Sequence, residues 1–234
     1  MNGQPATKVK WNGNYIFGNT QFAAFPEHSA EIAAVIAGWS IVEASLGRAF
    51  ATLIGAKQPV AMTMYSAARS FEVQRALLEA AVDDVLAPRV ALLFKIVLVV
   101  IYRAAAHRHR FAHWVWGAST DPDFTALLLV EPKHYWTLTA KQLRYWGRNR
   151  SNPDLFFFPE DIRNIAREHV LTLRLDDLKR ARAEIERAYK LADALREFVG
   201  ETGARRRAIR KWLEADSEIQ KALEKAKKSL RPKP

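Results

Sequence analysis

The chain has 234 residues, 49% hydrophobic and 26% charged, which is enough for one good-sized core plus an appendage and too apolar for a disordered segment. It contains no cysteine, so disulfides, thiolate nucleophiles and cysteine-ligated zinc are excluded, and a reducing, cytoplasmic compartment is expected. A net charge of +11 favours a polyanionic partner, with RNA the first candidate.

Residues 1–26 are rich in Gly, Asn and aromatic side chains without a sustained period, and read as an irregular arm that packs Trp11, Tyr15 and Phe17 onto the body. A first helix is predicted over 27–53. Ile32, Val35, Ile36, Trp39, Val42, Leu46, Phe50 and Leu53 recur at three- and four-residue spacing, which is one helical face. A second helix follows Pro59, strongest over 70–86. Pro88 opens a third, apolar on every side from Val90 to Tyr102, continuing into a histidine-rich stretch and ending near Gly117. That apolar run of about 13 residues is interrupted by Lys95 and falls short of the roughly 20 needed to span a bilayer, so it reads as a buried helix and no membrane association is expected.

The pattern then changes. Residues 124–130 and 135–139 are short β-prone runs and predict a small β-hairpin insertion at about 119–152. The basic and aromatic stretch that follows holds Arg144, Tyr145, Trp146, Arg148 and Arg150, which combines phosphate-binding charge with rings able to stack on bases. The same pattern also suits core rings beneath a solvated arginine face. Helices are predicted from Pro159 to about 168 and over 176–199. A last charged helix over 205–230 carries only a thin apolar stripe and is expected to project and fray. Residues 201–234 hold eleven basic and five acidic side chains, a net +6, and form a basic tail. The expected fold is mainly α, an antiparallel helical bundle over 27–200 with a hairpin insertion and a charged C-terminal helix.

At the foot of the third helix stands Arg108-His109-Arg110-Phe111-Ala112-His113. RNA carries its own nucleophile, the 2′-hydroxyl. A protein can cut it without metal by supplying a group that moves protons near neutral pH and a fixed cation against the charge on the phosphorane. His113 and Arg108 are those two types of group. Five residues turn an ideal helix through about 140°, so the pair does not share a face, and the long arginine, a helix end or a second subunit must bring them together. His109 and His113 also stand at a zinc-compatible spacing, but the glutamate of a zincin is missing, Arg110 lies between them and no third ligand is evident, so no metal or other cofactor is expected. A basic helix C-terminus is, besides, favourable against the helix dipole without any function.

The stretch resembles the Arg-(Asn/His/Asp)-x-x-x-His signature of the HEPN superfamily, with His109 in the permitted set and Trp114 where a glycine is common. The resemblance implies a helical ribonuclease. Arg108 would stabilise the phosphorane, His113 would act as base or acid, and His109 would orient. It also implies a homodimer, toxin-like or antiviral cutting of RNA, and a possible neutralising protein partner. Glu43, on or beside the apolar stripe of the first helix, either orients Arg108 or His113 or pairs with another cation such as Arg48. The alternative function is a non-catalytic helical interaction or nucleic-acid-binding protein.

Overall fold

The computed structural model describes residues 12–18, 21–121, 124–148 and 158–229. The chain is mainly helical, with a small four-stranded antiparallel sheet, and divides into two compact units. The first holds residues 1–36 and 107–182, the second 37–106 and 183–234. The helices pack as a bundle into which the small sheet is inserted, as expected, and the divide between the units falls inside three long helices rather than at a linker.

The first unit is built on the sheet, ordered β1 (Tyr15–Phe17), β2 (Val115–Ser119), β3 (Leu127–Val130), β4 (Val170–Leu173). Each strand pairs antiparallel with the next, Tyr15 opposite Ser119, Val115 opposite Val130, and Leu127 opposite Leu173. All four residues of β3 are buried, which explains its unbroken Leu-Leu-Leu-Val: a strand covered on both faces needs no polar alternation. Leu128 and Val130 join Tyr15, Leu138, Phe158, Ile162, Ala166 and Val170 in one apolar cluster. The expected irregular arm is therefore part of the core. Tyr15 is fully buried, and Phe17 sits 4.8 Å from it, ring to ring. Trp11 lies outside the described residues.

The predicted hairpin is corrected. Residues 127–130 form a strand, but their partners are β2 and β4, and 135–139 lie inside α6 (Pro132–Arg148). Pro132 suits a first helical turn, and the Glu131 carbonyl accepts from the His134 and Tyr135 amides. Leu138 and Gln142 are buried, with Tyr135, Tyr145 and Trp146 packed beside them on the same cluster. Burial at 135, 138, 142 and 145 is helical spacing, and it outweighs the β propensity of Tyr, Trp and Thr. The unit is completed by the short α1 (Gln21–Ala24), α7 (Glu160–His169) and the parts of α2 (Pro26–Leu53), α5 (Pro88–His113) and α8 (Leu175–Gly200) that fall within it.

The second unit packs the remainder of α2, α5 and α8 with α3 (Gln58–Ala67), α4 (Phe71–Val85), α9 (Gly203–Ala215) and α10 (Ser217–Ser229). The predicted stripe of α2 supplies Trp39, Val42, Leu46 and Phe50 to the core. Phe94, Val97, Leu98 and Ile101 of α5 are buried with them. Gly38 permits close approach of α8, since a Cβ there would meet Ile185 Cγ2 at 2.9 Å. Ser70 caps α4 by accepting from the Val73 amide at 3.2 Å.

The charged C-terminal segment is two docked helices, not one projecting helix. Asp216, extended between them, accepts at Oδ1 from the Glu218 and Ile219 amides and is gripped by Arg187, whose Nη2 donates to both its oxygens at 2.8 and 2.9 Å. Arg187 also reaches Glu218, which Arg103 holds from α5. Leu213 and Ile219 are fully buried.

By length and composition α2 and α5 each match a bilayer-spanning helix, with 39% and 56% of their most apolar stretches buried within the protein. Arg103 closes the apolar run of α5 after Tyr102, and Ala104 and Ala105 beyond it are buried.

Candidate functional site

The site forms where α5 gives way to β2. The helix ends at His113 rather than near Gly117. The Trp114 amide still bonds the Arg110 carbonyl, and Val115 already pairs in the sheet. The turn is anchored from inside. Phe111 is buried, its ring 5.5 Å from that of Trp116, and the Trp116 indole N–H donates to the Phe111 carbonyl at 3.0 Å. That bond satisfies a carbonyl which the helix end would otherwise leave open. With Phe111 facing in, His109 and His113 face out and are exposed, and Arg108 is half-buried.

Arg108 and His113 meet within one chain. Arg108 Nη1 lies 3.1 Å from His113 Nε2. Their Cα atoms are separated by about 140° of turn and about 7.5 Å of rise. The arginine side chain is long enough to cross that interval, so no second subunit is needed to bring the two groups together. Arginine offers only donors, so in this contact Nε2 is the acceptor and the imidazole is neutral with its proton on Nδ1. Partial burial, followed by the charges of Arg108 and His109, holds His113 below the ordinary imidazole value of 6.5. The His109 ring sits one turn back, 5.0 Å from that of His113. Together these make a neutral proton acceptor touching a fixed cation at an exposed helix end. The helix dipole there favours cations, so attraction for an anion comes from the side chains alone.

Glu43 belongs to the second unit, beside the Tyr65 and Tyr102 hydroxyls, which lie 3.2 Å apart. Burial and this carboxylate raise both phenols, Tyr102 to about 12. Arg108 and His113 belong to the first unit.

The residues predicted for RNA capture are divided by α6. Arg144 and Arg148 are exposed, whereas Tyr145 and Trp146 turn onto the apolar cluster, their rings 6.4 and 6.1 Å from Phe158. Arg150 lies outside the described residues. The exposed ring of α6 is Trp136, which the strand reading of 135–139 hid. Sequence reasoning also missed His134 and His169, stacked 3.9 Å apart at 6° between planes. Being 35 positions apart on α6 and α7, they leave no local pattern. Among the described residues no three His, Asp or Glu side chains converge to hold a metal ion.

No protein-family model, no curated protein and no solved structure matches the chain. The resemblance to the HEPN signature therefore rests on Arg108, His109 and His113 and on their place at the end of the apolar helix.

Proposed function

We propose that this chain is a metal-independent endoribonuclease of the HEPN type. The observation that carries the reading is the 3.1 Å contact between the Arg108 guanidinium and the His113 imidazole at an exposed helix end. A bound phosphodiester would take up the guanidinium and release Nε2. His113 then accepts the proton of the ribose 2′-hydroxyl as its oxygen attacks phosphorus. The O2′–P bond forms, Arg108 neutralises the charge on the phosphorane oxygens, and the P–O5′ bond breaks. Water supplies the proton taken by the departing 5′-oxygen. The products are a 2′,3′-cyclic phosphate and a 5′-hydroxyl. The lowered imidazole pKa supports the role of base, because the group is unprotonated at neutral pH before substrate arrives.

The homodimer implied by the resemblance and a toxin-like or antiviral role belong to the same proposal. The decisive experiment is incubation of purified protein with mixed RNA in EDTA beside His113→Ala and Arg108→Ala. Cutting that leaves 2′,3′-cyclic ends and is lost in both variants supports the enzyme. Equal behaviour of all three chains leaves a non-catalytic nucleic-acid-binding or interaction protein.

A further inference from the structure

α6 carries Lys133, Lys141, Arg144 and Arg148 and not one Asp or Glu along its 17 residues. Lys133 is paired with Glu131 at 2.8 Å, while no ion pair engages Lys141, Arg144 or Arg148 among the described residues. Among the described residues other arginines are answered by carboxylates, as Arg75 by Glu79 and Arg210 by Glu214. Positions 141, 144 and 148 follow each other at three and four residues, so they form one row along about 10 Å of helix. Trp136, 67% exposed, and Leu143, 59% exposed, the two most exposed large apolar side chains among the described residues, form a second stripe of the same helix, with Trp136 about 80° of turn from Arg144. The Trp136 ring packs edge-on against Tyr135 at 5.2 Å, and Tyr135 packs edge-on against Phe17 at 5.5 Å in the core of the unit.

We propose that the outer face of α6 binds single-stranded RNA, with Trp136 stacking on an unpaired base and Lys141, Arg144 and Arg148 holding phosphates farther along the strand. A row of cations without carboxylate partners favours a polyanion, an exposed indole on the same helix favours a flat apolar partner, and an unpaired nucleotide strand supplies both. A duplex offers the phosphates but keeps its base faces stacked. An anionic membrane surface also offers charge, but the rest of this face is Lys133, Thr137, Ala140 and Gly147, too little apolar area for interfacial insertion. The inference deepens the ribonuclease reading by naming the form of RNA held, and depends on that reading for the identity of the polyanion.

The test uses the full chain carrying His113→Ala, so that substrate survives, and a fluorescein-labelled uridine dodecamer read by anisotropy. Trp136→Ala is expected to weaken binding about tenfold, and Trp136→Phe to restore most of it. Arg144→Ala and Arg148→Ala are each expected to lower the salt slope by about 0.7. Duplex RNA of equal length should bind with no dependence on Trp136. Circular dichroism confirms that the exposed substitutions leave the fold intact. Dodecamer binding that is indifferent to Trp136→Ala and to a chain carrying both Arg144→Ala and Arg148→Ala overturns the inference, as does loss of phosphatidylserine-vesicle binding in Trp136→Ala with dodecamer binding unchanged. If binding ignores α6 while the parent chain still needs His113 to cut RNA, this inference fails and the ribonuclease reading stands.

Discussion

Removal of Arg108 and His113, singly and together, separates a working pair from two independent charges. The 3.1 Å contact joins an exposed imidazole to a half-buried guanidinium, so breaking it should cost the fold about 1 kcal/mol or less and shift the melting temperature by only a few degrees. Activity should respond far more. Loss of a positioned cation costs about 10²–10³-fold in rate, and loss of the proton-transfer group about 10²–10⁴-fold. Independent groups would multiply, giving about 10⁴–10⁷-fold for the double variant. Groups that act on one phosphate and hold each other in place do not multiply, and the Arg108→Ala/His113→Ala chain should lie within about tenfold of the worse single variant. The assay is single-turnover cleavage of an end-labelled RNA in EDTA, with thermal melts of all four chains as the control for folding. Full multiplication of the two losses would refute the shared-phosphate geometry, and an undiminished rate in either single variant would refute the catalytic reading altogether.

The remaining predictions concern protonation and packing. His113 should titrate below 6.5 by NMR, and Arg108→Ala should raise it by removing the adjacent positive charge. Burial lowers His28 and His134 as well, so three imidazoles bind protons less readily in the folded chain than in the unfolded one. That difference makes stability fall as pH drops through 6.5, and melts between about pH 7 and about pH 5 should show it; a melting temperature flat across this window contradicts the sign. A Cβ at Gly117 would stand 2.5 Å from Phe17 Cδ1 and 2.6 Å from the Ile16 carbonyl oxygen, so Gly117→Ala must push β1 off β2 and should cost about 1–3 kcal/mol in urea unfolding. Asp216→Ala removes the cap of α10 and the main partner of Arg187, for a loss of about 1–2 kcal/mol. Because Arg187 and two amides hold the Asp216 carboxyl below its ordinary 3.8, that contribution should persist at neutral pH and vanish only as acid protonates it. An acid-unfolding midpoint unchanged in Asp216→Ala would contradict this.

Much of the helical framework was legible in the residues because burial on one face of a helix leaves a periodic trace. The stripe from Ile32 to Leu53 marked α2, observed as Pro26–Leu53. Pro88 and the all-round apolar run marked α5, and the motif at its foot marked Arg108, His109 and His113 as the side chains to watch. What the residues by themselves determined was therefore local: which segments turn at 3.6 residues, which are apolar throughout, and where polar chemistry interrupts them. The partner of a strand carries no such trace. Tyr15–Phe17 reaches β2 across about a hundred residues, and the β-prone 135–139 is helical because Leu138 and Gln142 face a core assembled from distant pieces of chain. The same holds for the site. Helical spacing sets Arg108 and His113 about 140° apart, and only the buried Phe111–Trp116 anchor and the reach of an arginine side chain close that angle to 3.1 Å. Periodicity records which face a residue takes, whereas contacts between faces depend on where the rest of the chain has packed.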